Sequence, residues 1–315
     1  MARARRELAA RGRRSLWLEL QHALLDRLVF AKVRARLGGR LRFTISGGAA
    51  LSREVAEFIS DVGIQVYEGY GLTETSPIVS TNRPGAVRIG TVGKPIPGVE
   101  VLILDEEQRP LPQGEDGEIC VIGPNIMQGY HNRPEATAEV IFEYEGRRCF
   151  RTGDMGHLDP DGFLVITGRI KEQYKLENGK YVVPAPLEEK LKLSGLINQA
   201  FIYGDNKPYN VALVVPDEEA VRKWARQRGL PGADGPFAEL IQRPEVHARI
   251  GEELQRFAQD FKGYERPQRW ALIAEEFSTD NDLLTPTLKI KRRNIIKRYQ
   301  ELIERLYSEE PARAA

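Results

Sequence analysis

The spacing of apolar and polar positions divides this chain into three textures. Up to about residue 37 the sequence is rich in Arg, Leu, Ala and Glu and free of proline, and Leu16, Leu20, Leu24, Leu28 and Val29 recur at helical spacing. One or two amphipathic helices are expected there, stopped by Gly38-Gly39. Leu41 to Ile45 alternates as a strand, Ser46-Gly47-Gly48-Ala49 reads as a loop, and Ser52 caps a helix carrying Val55, Phe58 and Ile59. Gly63 ends that helix, and Ile64 to Tyr67 is the next strand. Strand, loop, helix and strand in this order predict a βαβ unit of a parallel sheet, in which ligands bind beyond the carboxyl ends of the strands.

From about residue 84 proline and glycine recur every few residues. Short strands are expected at Val99–Leu104, Gly117–Ile122, Arg148–Phe150 and Phe163–Thr167, separated by turn signals such as Asp159-Pro160-Asp161-Gly162. This texture predicts an all-β subdomain, a small distorted barrel. Beyond Gly168-Arg169, strands (Gln199–Tyr203, Asn210–Val215, Trp270–Ile273) alternate with helices near Pro186–Leu193, Glu218–Arg228 and Val246–Phe261, with a last amphipathic helix after Lys289. Three segments follow: residues 1–83 as part of a larger α/β domain, 84–168 as the β-barrel-like subdomain, and 169–315 as a small α+β domain.

The stretch Tyr67-Glu68-Gly69-Tyr70-Gly71-Leu72-Thr73-Glu74 carries the densest candidate chemistry. It reads as a strand running into a tight glycine loop, and glycines let a backbone approach a ligand closely. Tyr70 can stack on a base, Thr73 can bond a phosphate oxygen, and Glu74 can hold a magnesium ion. Taken alone, the octapeptide reads equally as a strand-end turn with a solvated Thr and Glu. Asp154, preceded by Gly153, can accept both hydroxyls of a ribose, or cap its own turn. Arg169 and Lys171 sit at the inferred domain junction. Lys289 follows Thr285-Pro286-Thr287-Leu288 in a loop, where an ammonium can offset charge developing on a phosphate or carboxylate. The four histidines share no triad or metal spacing, and no lysine loop of the P-loop form occurs.

Composition narrows the field. Forty-six Lys and Arg nearly balance 45 Asp and Glu over 315 residues. That leaves no strong field for a nucleic-acid binder. Cys120 and Cys149, both among apolar neighbours, read as reduced core thiols of a cytoplasmic protein. No apolar run is long enough to span a bilayer, and no secretory signal is evident. The arginine-rich start, Arg3 to Leu28, is expected to be an ordinary packed helix, with peripheral contact to an anionic membrane as the second reading.

In this order and spacing, the blocks Leu41–Leu51, Gly69-Tyr70-Gly71-Leu72-Thr73-Glu74, Asp154, Arg169 to Lys171, Lys175 to Pro184 and Lys289 resemble the acyl-adenylate-forming synthetases, and within them the long-chain fatty acid–CoA ligases. The resemblance runs from about Leu28 to the end. It implies that Gly47, Gly48 and Ala49 line the adenine, that Tyr70 and Gly71 pack on it, and that Thr73 contacts the α-phosphate. It further implies that Glu74 binds Mg²⁺, that Asp154 holds the ribose and that Arg169 contacts ribose or phosphate. Lys171 would be the hinge of a mobile C-terminal domain, Gly179 would lie in the loop lining the thioester-forming face, and Lys289 would serve adenylation. Ala50 stands where the family usually has proline, and Leu288 where it commonly has glycine.

The implied reaction joins a fatty acid to coenzyme A at the expense of ATP, through an acyl-adenylate. The family's earlier Ser/Thr/Gly-rich loop, which holds the outer phosphates of ATP, has no counterpart here, and full-length members are roughly twice as long. An N-terminally truncated chain or one half of a split synthetase is therefore expected, poorly active by itself and completed by a separate N-terminal half. A non-catalytic module binding AMP or acyl-adenylate is the alternative from another class. A different acyl- or aryl-adenylating ligase is the alternative within the family.

Overall fold

The computed structural model describes residues 15–48 and 51–308, which separate into two compact units, 1–167 and 168–315. The first unit opens with a helical segment: α1 (Leu16–Leu25), a wider π-helical turn (Asp26–Phe30) and α2 (Ala31–Arg36). It ends, as expected, where Gly38 and Gly39 take positive φ. The expected packed leucine face is overturned, because none of these residues is buried and Leu16 is 85% exposed. The Arg3–Arg14 part of that reading lies outside the described residues.

β1 (Phe43–Ser46) and β2 (Gln65–Gly71) pair in parallel across α3 (Arg53–Asp61), giving the expected βαβ unit. The Ser52 hydroxyl accepts the Val55 N–H at 3.2 Å, which satisfies one orphan donor at the helix start. β2 then pairs antiparallel with β3 (Ile78–Thr81), and β3 with β4 (Lys94–Pro95), so parallel and antiparallel ladders share one sheet. The loop expected at Gly69-Tyr70-Gly71 is therefore corrected: these residues continue β2 and pair with β3. The glycines conceal the strand because each gives the pattern no apolar side chain.

The second layer is an antiparallel sheet of β5 (Glu100–Leu104), β6 (Gly117–Ile122), β7 (Ile141–Tyr144), β8 (Arg147–Leu158) and β9 (Leu164–Arg169), in the order β5-β6-β8-β7 with β9 also on β8. It curls around Val79, Ile119, Val121, Phe150 and Leu164. A helix that the sequence reading missed, α4 (Pro134–Val140), precedes β7. Pro134 opens its first turn, where the fixed φ of proline suits the position. Asp154 also departs from expectation. It lies within the 12-residue strand β8, beside a kink where Gly153 takes φ +69°.

The second unit begins with the hairpin β10 (Tyr174–Lys175) and β11 (Tyr181–Val182) and the helix α5 (Pro184–Leu191). A three-stranded sheet of β12 (Ile197–Tyr203), β13 (Asn210–Pro216) and β14 (Pro267–Leu272) has β13 at its centre. That strand is buried along its whole length, and its near-continuous apolar run is what burial on both faces requires. Helices α5, α6 (Glu218–Gln227), α7 (Phe237–Leu240) and α8 (Pro244–Ala258) contribute to one core. Helices α9 (Arg292–Arg298) and α10 (Gln300–Ser308) contribute to a second core, with Phe201, Leu213 and Val215. Among the described residues no helix is long and apolar enough to cross a membrane.

Candidate functional site

Backbone fit fixes the end of β2. A methyl group on Gly71 would lie 1.7 Å from the Pro77 carbonyl oxygen, so only glycine lets the chain fold back into β3 at this spacing. The single 3₁₀ turn Thr73–Thr75 makes that reversal. Thr75 is fully buried and clamps it: its hydroxyl donates to the Leu72 and Pro77 carbonyls (3.0 and 2.9 Å) and accepts the Leu72 N–H at 2.9 Å. From the loop after β6, the Asn125 amide donates to the carbonyls of Thr75 and Ile78, and the Met127 N–H donates to that of Glu74. Thr73 is exposed and Glu74 half-buried at the open side of the turn.

Two contacts set the chemistry. The Tyr70 hydroxyl donates to Asp154 Oδ2 at 2.6 Å, joining residues 84 apart in sequence. The Asp154 backbone N–H donates to the Thr152 hydroxyl, and that hydroxyl donates to the Ile119 carbonyl, so the kink at Gly153 is held to β6. Asp154 is therefore a partner of the aromatic motif. The Tyr130 hydroxyl donates to Glu74 Oε1 at 2.8 Å, and its own backbone N–H donates to Thr137 on α4. Burial, and then the Glu74 carboxylate, raise the Tyr130 hydroxyl to about 12. Tyr130, Thr75 and Asn125 were missed from sequence because their roles exist only once distant loops meet.

The glycine loop after β1 lies beside this motif. Ser46 is in register with Glu68, and a methyl group on Gly47 would lie 3.3 Å from the Gly69 carbonyl oxygen. Gly48 takes φ +82°, whereas Ala49 lies outside the described residues. Glu68 is a buried carboxylate at the base of this loop. Burial raises it to about 7, against the lowering effect of a hydrogen bond from the Leu51 backbone.

The remaining expected residues belong to the second unit. Lys289 is exposed at the tip of a pinned hairpin in which the Thr285 N–H donates to the Lys289 carbonyl, the Lys289 N–H donates to the Thr285 hydroxyl, and Leu284 pairs with Ile290. Leu288 takes φ +61° there, a conformation that glycine adopts more easily. Just beyond, Arg292 Nη1 donates to both carboxylate oxygens of the buried Glu188 at 2.8 and 3.0 Å, and the guanidinium stacks on Phe201, which anchors the hairpin's exit. Arg169 ends β9, Lys171 lies in the short 3₁₀ turn after it, and Gly179 takes φ +82° in the β10–β11 turn. The structure thus gathers Gly47, Gly48, Tyr70, Gly71, Thr73, Glu74 and Asp154 in the first unit.

Among the described residues no three acidic, histidine or cysteine side chains meet in a group fit to hold a metal. Glu74 alone can supply one carboxylate. That suits magnesium, which keeps several waters and takes other oxygens from substrate phosphates.

Residues 15–131 match the model of the AMP-binding enzyme family, and residues 171–311 match the AMP-binding enzyme C-terminal domain. The chain is 38% identical over 304 residues to long-chain-fatty-acid–CoA ligase FadD15 of Mycobacterium tuberculosis, covering 96% of this chain and 48% of that protein. It is 38% identical over 292 residues to human long-chain-fatty-acid–CoA ligase 1, covering 91% and 41%. Among solved structures, it is similar to the A domain of carboxylic acid reductase from Segniliparus rugosus in complex with AMP and a co-purified carboxylic acid. There the TM-score is 0.71 and the identity 28%, over 98% of this chain and 45% of that one. The chain spans about half the length of the curated relatives it matches.

Proposed function

We propose that this chain, which has the acyl-adenylate-forming fold of the AMP-binding enzymes and is related to the long-chain fatty acid–CoA ligases, supplies the AMP-facing part of a fatty acid–CoA ligase. The observation that carries this reading is the 2.6 Å bond between Tyr70 and Asp154. It brings a ring able to stack on a base together with a carboxylate able to hold a ribose, beside the turn that presents Thr73 and Glu74. In this reading Gly47 and Gly48 let adenine approach the backbone, Asp154 accepts the ribose hydroxyls, Arg169 assists at ribose or phosphate, and Thr73 bonds the α-phosphate. Gly71 keeps the reversal compact.

The overall reaction has two steps. A fatty carboxylate attacks the α-phosphorus of ATP, giving acyl-adenylate and pyrophosphate; the thiol of coenzyme A then attacks the acyl carbonyl and releases AMP. Bound magnesium would supply charge neutralisation for the first step, with Glu74 as its protein ligand. The Tyr130 hydroxyl occupies one Glu74 oxygen by its hydrogen bond. Lys289 would offset the approach of two anions, Lys171 would act as hinge, and Gly179 would admit the thiol. The resemblance of the motifs supports these last three roles.

Calorimetry with AMP tests the core of the reading. The chain should bind AMP, and Asp154→Ala should weaken binding at least tenfold, as expected for loss of a charge-assisted hydrogen bond worth about 1.5–3 kcal/mol. The same substitution should leave 2′,3′-dideoxy-AMP binding unchanged, and equal losses for both ligands would refute the ribose assignment. In an enzyme assembled with the remainder of its fold, Lys289→Ala should abolish adenylation and largely spare thioester formation from supplied acyl-AMP. Parallel loss of both half-reactions would sink that division of labour.

A further inference from the structure

The turn after β2 offers a metal ion one carboxylate, Glu74, and one of its two oxygens is already engaged. The Tyr130 hydroxyl donates to Oε1 at 2.8 Å, whereas among the described residues no donor or cation reaches Oε2. The tyrosine is held in place. Its backbone N–H donates to the Thr137 hydroxyl at 2.9 Å, and a methyl group on the preceding Gly129 would lie 2.8 Å from Thr137 Cγ2. Upstream, the Arg148 guanidinium donates to the carbonyls of Met127 and Gln128, which ties the loop to β8. That loop already grips the turn through Asn125 and the Met127 N–H, so the backbone is clasped without the phenol. The hydroxyl reaches past the backbone to the carboxylate itself. Because burial, and then Glu74, raise it to about 12, it stays protonated at neutral pH and acts as the donor.

A carboxylate can hold a cation through one oxygen or through both. Calcium, with a large and flexible shell, accepts either mode, whereas magnesium demands near-octahedral geometry, keeps several waters and is served by one oxygen from each ligand. A two-oxygen grip on Glu74 would draw on Oε1 and weaken the Tyr130 bond, which the charge of its acceptor strengthens. A one-oxygen grip through Oε2 leaves that bond intact. The donor's neutrality matters as well, since a lysine or arginine in its place would cancel the charge that attracts a cation. We propose that Tyr130 is a specificity-determining positioning residue for the metal, which by holding Oε1 restricts Glu74 to one-oxygen ligation and so selects magnesium over calcium. The proposal rests on the functional reading above, in which Glu74 is the metal ligand.

Calorimetry of the full chain with the non-hydrolysable analogue α,β-methylene-ATP, in saturating magnesium and then in saturating calcium, reads the preference as a ratio of two Kd values. The unsubstituted chain should bind the magnesium complex more tightly. Tyr130→Phe removes only the hydroxyl, and it should lower the ratio at least about fivefold, within the range one hydrogen bond contributes, by strengthening the calcium complex. AMP without metal should bind the variant as before, which reports an intact nucleotide face. Equal weakening with both ions, or a loss of metal-free AMP binding, makes Tyr130 a structural neighbour only and overturns the proposal. An unchanged ratio overturns it too. Glu74→Gln separates the two readings: it should erase the difference between metal-bearing and metal-free analogue. If it does so while Tyr130→Phe leaves the ratio unchanged, the selectivity role alone falls. If metal never strengthens binding in the unsubstituted chain, the assignment of Glu74 falls and the proposal with it.

Discussion

The two ends of this chain solve the same packing problem differently. In the second unit, β13 is buried on both faces, with helices α5, α6 and α8 in one core and α9 and α10 in the other. In the segment from Leu16 to Phe58, helices and strands of comparable apolar content leave Leu16, Ile45 and Phe58 largely in water. Apolar side chains at the right period therefore specify which face must be covered, not what covers it. The contrast also separates two kinds of functional residue. Tyr70, Glu74 and Asp154 are held by hydrogen bonds within their own unit, whereas Lys289 is carried at an exposed tip.

Breaking the closed unit should have the largest effect. Glu188→Ala removes both oxygens that accept from Arg292 Nη1 and leaves the guanidinium with the Ile202 carbonyl and the face of Phe201. Loss of one partner of a buried pair costs about 3–5 kcal/mol. Urea unfolding followed by Trp fluorescence should show this as a lower midpoint. A loss under 1 kcal/mol would mean that the second unit does not depend on its ion pair.

A smaller, pH-dependent effect is expected where the open segment meets the site. Because burial raises Glu68 to about 7, the folded protein holds its proton in a range where the unfolded chain has released it. Glu68 therefore contributes full stability below about pH 4.5, the usual glutamate value, and that contribution is lost as pH rises through about 7. With solvent screening the loss amounts to about 1–2 kcal/mol. Glu68→Gln should flatten this slope in thermal melts between pH 5 and pH 8 (a range of about 3 units chosen to bracket the shift). An unchanged slope would show that Glu68 stays ionised in the folded state.

The smallest effect sharpens the comparison most. Ile45→Ala in the chain alone should change stability by no more than about 0.5 kcal/mol, as for an ordinary surface position. A buried isoleucine such as Ile250 should cost about 2–5 kcal/mol when cut to alanine. A large loss at Ile45 would show that the chain by itself already covers that face.

Most elements were legible because their periodicity was strong. Gly117–Ile122 matches β6 at both ends, and the expected strand Asn210–Val215 falls within β13. Reading failed where one residue type serves two purposes. Gly69 and Gly71 suggested a loop because glycine is a turn former, but the second is required by close approach of the Pro77 carbonyl within a paired strand. The seven-residue helix Pro134–Val140 went unread within a stretch whose frequent Pro and Gly suggested only strands and turns. Tyr130 and Thr75 carry no local sign of their roles, since a hydroxyl shows its partner only when the chain has folded.

By itself the sequence determined the order of elements, the βαβ start, the two buried thiols and the candidate residues from Gly47 to Lys289. These follow from local period, turn chemistry and motif spacing, which act over a few residues. Tertiary structure alone decided that Asp154 bonds to Tyr70, that Tyr130 bonds to Glu74, and that Phe43 and Ile45 of β1 stand exposed. Such facts depend on which distant surfaces meet and which are left without cover. No spacing along the chain encodes them.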